Sequence, residues 1–269
     1  MTYGVPYKGS KNSIAEKIIR VLPSAENFYD LFAGGCAITH AALLSGKWKN
    51  LYANDIEGGG ERLFRDAVEG KFKDEKRWIS REDFFRLKDS EPYVKFCWSF
   101  GNDGRSYLYG RKIEERKREL HFARVLRDKA NEDPSLRLPS LERLQSLQSL
   151  QRLQGLQRLQ GLQGIRINYS FNDYTQVKIK EHSIVYCDIP YKNTDKYSNE
   201  FDHDKFYAWA LENENPIFIS EYGMPDSFHK IFSVQKKCSF SAQNNSVYKI
   251  ENLYANDAAY ELYTQSILI

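Results

Sequence analysis

The segment Asn27–Leu44 reads NFYDLFAGGCAITHAALL. Apolar residues run into Asp30, a Gly34–Gly35 pair follows, and small and apolar residues then continue at helical length. This pattern predicts a short buried strand, a tight turn and a helix. Soon after, NLYANDIE at 50–57 predicts a second strand that ends in Asn54–Asp55. Strand, glycine turn, helix and a strand ending in an acid is the start of a doubly wound α/β sheet. The glycines lack the G-x-G-x-x-G spacing of dinucleotide binders, so a pyrophosphate is not the indicated ligand.

On the N-terminal side, YKGSKNSIAEKIIRVLP at 7–23 predicts a turn and then a helix. Ser13 with Glu16 three residues later fits a capping box, and Pro23 stops the helix. Ile14, Ile18 and Leu22 recur every four residues and predict one buried face. On the C-terminal side the sheet resumes near Ile165. The strand candidates are IRINYSF (165–171), SIVYCD (183–188), PIFISEY (216–222), FSVQKKCSF (232–240) and a closing ELYTQSILI (261–269). The alternation in SVYKIENLY (246–254) predicts antiparallel pairing at that end. Between the halves, residues 58–140 read as an inserted, mainly helical subdomain. The expected division is 1–57 with 165–269, the insert at 58–140, and a connector at 141–164.

That connector is of low complexity, with leucine at 141, 144, 147, 150, 153, 156, 159 and 162, usually followed by Gln. On an α-helix a period of three drifts back by about 60° per leucine, so the stripe winds around the rod. Gly155, Gly161 and Gly164 each cost about 1 kcal/mol in a helix. The expectation is a helical start that degrades into an irregular connector.

With 269 residues and 41% hydrophobic residues the chain can bury a sizeable core, while a mean hydropathy of −0.63 gives it a polar surface. No stretch approaches the roughly 18 apolar residues of a membrane span. MTYGVPYKGSK lacks the apolar core of a secretion signal. Cys36, Cys97, Cys187 and Cys238 are scattered, without zinc spacing, and read as reduced thiols. The expectations are a cytoplasmic protein without metal, working as a monomer.

Net charge is only +3, yet residues 105–129 hold nine Lys/Arg against four acids, which is +5 and leaves −2 for the rest. Such a window is either a localised site for an anionic partner or a solvated helix face with internal ion pairs.

The residues also suggest chemistry. A glycine turn lets a ligand approach the backbone, and an acid closing the next strand can accept both hydroxyls of a ribose. Gly34–Gly35 with Asp55 therefore suits an adenosine-bearing cofactor, and S-adenosylmethionine fits. Taken alone, each motif favours an ordinary βα turn with an N-capping acid. Lys11, just before a helix, is a candidate partner for the cofactor's carboxylate, with Tyr7 packing nearby. SIVYCDIPYKN at 183–193 ends a strand in a carboxylate, a stiff turn and an aromatic ring that looks exposed. Asp188 and the carbonyl of Ile189 could accept the two N–H groups of an exocyclic amine and turn its lone pair toward a methyl donor. Pro190 would aim that carbonyl, and Tyr191 could stack on the base once it has left the duplex.

Taken together, these motifs resemble the Dam-like, class α DNA N6-adenine methyltransferases, over nearly the whole chain. PYKGSKNSIAEKIIRVLP resembles that family's N-terminal cofactor motif, FYDLFAGGCAITHAAL its F-x-G-x-G loop, YANDIE its ribose-acid strand and VYCDIPY its D-P-P-Y. The order, with an insert between cofactor and catalytic motifs, is also similar. The resemblance implies a Rossmann-like methyltransferase sheet, S-adenosylmethionine as cofactor and double-stranded DNA as partner. It further implies transfer to N6 of a flipped adenine and a modification enzyme of the restriction-modification type. Asp188, Ile189, Pro190 and Tyr191 would be catalytic. Tyr7, Lys11, Asp30, Phe32, Gly34, Gly35, Asp55, Asp173 and Asp188 would contact the cofactor. The insert would read DNA, with Arg105, Tyr107, Arg111, Arg116, Lys117 and Arg118 as contacts. Ile189 departs from the first proline of the motif, the glycines of FAGGCA are shifted, and the Leu-Gln tract lies outside the pattern. Methylation of cytosine N4 or of RNA, or a weakly catalytic nucleic-acid binder, are the alternatives.

Overall fold

The computed structural model describes residues 2–130, 147–162, 164, 166–191, 201–238 and 247–267. Among them are the strands β1 (Asn27–Asp30), β2 (Asn50–Asn54), β3 (Ile167–Ser170), β4 (Ser183–Cys187), β5 (Ile217–Glu221), β6 (His229–Cys238) and β7 (Val247–Ala255). They form one mixed sheet in the order β3-β2-β1-β4-β5-β7-β6. The first five run parallel, and β7 lies antiparallel between β5 and β6. This is the expected α/β, Rossmann-like arrangement. Strands β1, β4 and β5 are buried at every residue, as a parallel sheet covered on both faces requires.

Successive residues of each strand serve opposite faces. Phe28, Ile184 and Phe218 join one core, together with Ile14, Ile18 and Leu22 of the first helical segment. Tyr29, Val185 and Ile217 join the other, with Phe206 and Ala210. The first core holds helix α1 (Ala15–Val21), helix α2 (Ala37–Ser45) and the last helix, while the second holds the helix His203–Glu212. Each fully buried Ile, Leu or Phe contributes on the order of 1.5–3 kcal/mol by leaving water.

Two local expectations are corrected. Helix α1 is N-capped by Ile14 with no side-chain bond, so the capping box at Ser13 does not form. The preceding turn, in which the Ile14 N–H donates to the Lys11 carbonyl at 2.9 Å, leads directly into the helix, and Glu16 pairs with Arg20 instead. Leu22 is extended before Pro23, the conformation favoured for a residue that precedes proline. Residues 257–267 form a helix, not a closing strand. Ala259, Leu262 and Tyr263 recur at helical spacing against the sheet, and the Asn256 side chain accepts the Ala259 N–H at 3.0 Å.

The chain divides into two compact units: 1–4, 11–61 and 166–269 in the first, 5–10 and 62–165 in the second. Helix α3 (Gly59–Val68) carries the boundary. The second unit is mainly helical, with α4 (Arg81–Leu87), α5 (Pro92–Cys97), α6 (Arg111–Ala130) and α7 (Gln148–Leu159). Its core is aromatic: Phe84, Tyr93, Trp98, Tyr107 and Tyr109 are buried, and Trp78 stacks on Tyr109 at 5.6 Å.

The described part of the Leu-Gln tract falls in this unit; it is a helix over Gln148–Leu159 that gives way to a 3-10 turn at Gln160–Leu162, so the helical start is followed by a looser end. Leu153, Leu156 and Leu159 are buried. The drift of a period-three stripe is only about half a turn over four leucines, which one short helix can absorb. Arg152 donates to the carbonyls of Cys97 at 2.7 Å and Ser99 at 2.9 Å, and Gln157 to that of Phe72 at 3.1 Å. Leu141 and Leu144 lie outside the described residues.

Candidate active site

In an open parallel sheet, ligands bind beyond the carboxyl ends of the strands, where the strand order reverses. Here that point lies between β1 and β4. Strand β1 ends in Asp30, β2 leads into Asp55, and β4 leads into Asp188-Ile189-Pro190-Tyr191.

Lys11 enters this point from the turn before α1 and is 2% exposed. Its ammonium donates to Asp188 Oδ1, with which it forms an ion pair, and to the Tyr191 hydroxyl at 2.5 Å. Glu251 of β7 closes the group: the Tyr191 hydroxyl lies 2.9 Å from each of its oxygens, and Lys11 Nζ is 3.5 Å away. Burial opposes the Lys11 charge, but Asp188 and Glu251 outweigh it and raise the pKa, so the ammonium persists. Burial, then Asp188 and Glu251, push the Tyr191 phenol far above its usual range. Tyr191 is therefore half-buried with an engaged hydroxyl, not the exposed ring suggested by sequence, and it stacks on Tyr222 at 4.4 Å.

The Asp188–Tyr191 turn is held from outside. Ile189 is 1% exposed, within the core on the Phe206 side of the sheet. His203 Nε2 donates to the Pro190 carbonyl at 2.8 Å. Among the described residues nothing donates to the Ile189 carbonyl, as an acceptor for a target amine requires.

Asp30 is 1% exposed, and its Oδ2 accepts the Thr39 hydroxyl at 2.7 Å and the Thr39 N–H at 3.1 Å. Burial raises its pKa to about 7, with Asp188 and Asp55 adding to the rise. Asp55 organises the glycine loop. Its Oδ2 accepts the Gly34 N–H at 2.8 Å, and its Oδ1 accepts those of Glu57 and Gly58 at 3.0 and 3.1 Å. Gly34 has φ +48°, a conformation that favours glycine. Gly4 packs its backbone against the Gly35 carbonyl so closely that a Cβ there would lie 2.3 Å from it. Phe32 sits among Tyr174, Phe201 and Phe206, with centroids at 5.5, 5.7 and 5.8 Å. Asp173 caps the turn after β3, accepting the Thr175 N–H at 2.9 Å. Tyr7 falls in the second unit, packed on Phe96 at 5.1 Å.

Four residues absent from the sequence reading complete the site. Asn54 ties the strand ends together, donating to the carbonyls of Leu31 and Asn172 at 3.1 and 2.9 Å and accepting the Ser170 hydroxyl at 2.7 Å. His203 and Glu251 hold the Asp188–Tyr191 turn. Glu221, at the end of β5, is 2% exposed, and burial raises its pKa to about 8. A visible signal existed for Glu251, an acid at an inward position of β7 alongside Leu253 and Ala255.

Among the described residues, Asp30 Oδ1 and Glu221 Oε2 are buried carboxyl oxygens without a hydrogen-bond partner. Asp30, at the end of β1 just before the glycine loop, is a buried acceptor that suits a ligand bearing an ammonium and a sulfonium, so the residues here fit S-adenosylmethionine.

The model of the D12 class N6 adenine-specific DNA methyltransferase family matches residues 7–266. The chain belongs to this family. A D12 class enzyme transfers a methyl group from S-adenosylmethionine to the N6 amine of adenine in DNA, which is what the sequence resemblance implied. No curated protein matched the chain. Among the described residues no group of three or more His, Cys, Asp or Glu is placed to hold a metal ion. No described helix is long and apolar enough to cross a membrane.

The residues expected at DNA lie in the second unit. Arg105, Arg111 and Arg116 are exposed and Lys117 is half-buried, and none of them has an ion pair among the described residues. Arg118 is paired with Glu115 at 2.7 Å. Tyr107 is corrected: it is 5% exposed, its hydroxyl donates to the Ile79 carbonyl at 2.7 Å, and Arg81 lies over its ring. It supports the loop from inside.

Proposed function

We propose that the D-I-P-Y turn is the amine clamp of this D12 class methyltransferase, with Lys11 and the ends of β1 and β2 forming its cofactor site. When bound, S-adenosylmethionine supplies an electrophilic methyl group. Asp188 accepts one N–H of the adenine amine and the Ile189 carbonyl the other, which turns the lone pair out of the ring's conjugation. Pro190 fixes the turn and Tyr191 lines the place of the extruded base. Asp30, Phe32, Gly34, Gly35 and Asp55 receive the cofactor, with Asp173 near its adenine, and Tyr7 remains assigned to this site by resemblance. Positioning of nucleophile and methyl carries most of the rate. The second unit holds double-stranded DNA through Arg105, Arg111, Arg116 and Lys117, with Arg118 secondary because it is already paired. A DNA substrate and buried free thiols at Cys36, Cys97 and Cys187 favour the cytoplasm.

The observation that carries this reading is the convergence of Lys11, Asp188 and Tyr191 at the strand-order reversal. The test is tritiated-methyl transfer to duplex DNA followed by nucleoside analysis, for wild type and Asp188→Ala. Wild type should yield N6-methyladenine. The variant should melt cooperatively and lose at least about 100-fold in rate, as when one group acting on the transition state is removed. A folded Asp188→Ala protein with near wild-type transfer would remove the clamp assignment.

A further inference from the structure

Along β7, Tyr248, Lys249 and Ile250 are exposed and burial begins at Glu251, which is 1% exposed and shares its side of the strand with Leu253 and Ala255, at 1% and 0%. Glu251 thus occupies an inward position that the fold would fill with an aliphatic side chain. Taking a carboxylate out of water is costly unless charge partners and hydrogen bonds compensate it. The sheet gains nothing from an acid here, so its use must be sought in what it touches.

It touches the catalytic turn. Both of its oxygens lie 2.9 Å from the Tyr191 hydroxyl, and Lys11 Nζ is 3.5 Å from Oε1. The direction of the bonds is fixed. Lysine only donates, so the Lys11–Tyr191 bond leaves the phenol oxygen as acceptor. The phenol proton must then go to Glu251, and burial with two nearby carboxylates keeps that phenol protonated. Lys11 in turn holds Asp188. Both ends of the turn, Asp188 and Tyr191, are therefore referred to one anchor on a sheet strand.

The turn needs such an anchor. Ile189 leaves it without the φ restraint of a first proline. A clamp must be held to within about 0.5 Å to work, and this requires a supporting shell.

We propose that Glu251 is a positioning residue for methyl transfer. It aims Tyr191 and Lys11, and through them Asp188, without touching the adenine amine. The inference rests on the reading that Asp188 and Tyr191 act at that amine.

The experiment compares kcat, KM for cofactor and thermal midpoint in full-length wild type, Glu251→Gln, Glu251→Leu, Tyr191→Phe and the Glu251→Leu/Tyr191→Phe double variant. Glu251→Leu should still melt cooperatively, but below wild type, because it leaves buried Lys11 and the Tyr191 hydroxyl short of a partner. Both Glu251 variants should lose about 10–100-fold in kcat, as when an outer partner of a metal ligand is removed, with KM changed less. The double variant should be no slower than the slower single variant, because one bond is removed twice.

Wild-type kcat in folded Glu251→Gln or Glu251→Leu would overturn the proposal, as would multiplied losses in the double variant. If neither Glu251 variant folds, Tyr191→Phe decides alone: it removes the bond and keeps every charge, so unchanged kcat overturns the proposal. Failure of the underlying reading looks different, since wild type would then form no N6-methyladenine or Asp188→Ala would remain active.

Discussion

Asp30 shows how a single buried acid can oppose the fold. Burial raises its pKa from 3.8 to about 7. A raised carboxyl pKa means that the unfolded chain releases the proton first. Its contribution to stability is complete below about pH 4, declines as pH climbs toward 7, and changes no further above that. A tenfold change in proton affinity is worth about 1.4 kcal/mol, so the loss is of the order of a few kcal/mol. Asp30→Asn keeps an oxygen for the Thr39 bonds and cannot ionise. Without cofactor, its melting temperature should exceed wild type by a margin that grows between pH 5 and pH 8. Binding of a cationic cofactor should show the reverse. Wild-type affinity for S-adenosylmethionine should rise as Asp30 ionises near pH 7, and the asparagine variant should lack that rise. Parallel melting and binding curves for the two proteins across this range would exclude Asp30 from the cofactor site.

At the scale of elements, what the sequence revealed depended on whether a pattern was local. The strand, glycine turn and helix at 27–45 were legible because Asn27–Asp30 and Ala37–Ser45 carry continuous apolar patterns around a glycine pair. The Asp188–Tyr191 turn was legible because its residues are adjacent. Glu251, His203 and Asn54 were not, since each acts on residues brought near only by the sheet. Tyr107 was misread because an aromatic in a Gly-rich loop looks the same whether it faces outward or, as here, reaches the Ile79 carbonyl. The Leu-Gln tract was legible as a helical start with a looser end, but its place in the second unit was not, because the bonds of Arg152 and Gln157 to other carbonyls of that unit decide it. A Cβ added at Gly155 would meet nothing within 4 Å, so Gly155→Ala should stabilise the helix by about 0.5–1 kcal/mol. Leu156, 0% exposed, should cost about 2–5 kcal/mol on change to Ala. Urea unfolding measures both. A neutral Leu156→Ala would mean that the tract is a spacer after all.

For the whole molecule the question is how a chain of net charge +3 holds a polyanion. The excess lies at 105–129, and the ion pairs within it sort its members. Arg118 is engaged with Glu115, and Glu114 accepts from Arg81. Arg111, Arg116 and Lys117 have no ion pair among the described residues. An unpaired cation on a helix can neutralise a phosphate and release a counterion, while a paired one must first give up its partner. The logarithm of the DNA affinity should therefore fall steeply with the logarithm of salt. Changing Arg111, Arg116 and Lys117 together to Ser should lower affinity on cognate and scrambled duplexes alike, and should flatten the slope by about one for each phosphate no longer neutralised. Arg118→Ser should do less, because its charge is already balanced. Arg105 lies in the loop before α6, and its loss should reduce the preference for the cognate duplex if the side chain reads a base edge. Titrations at several salt concentrations separate these outcomes. A triple variant that kept both affinity and slope would make α6 an ordinary solvated helix, and DNA would have to be held by other residues of the chain.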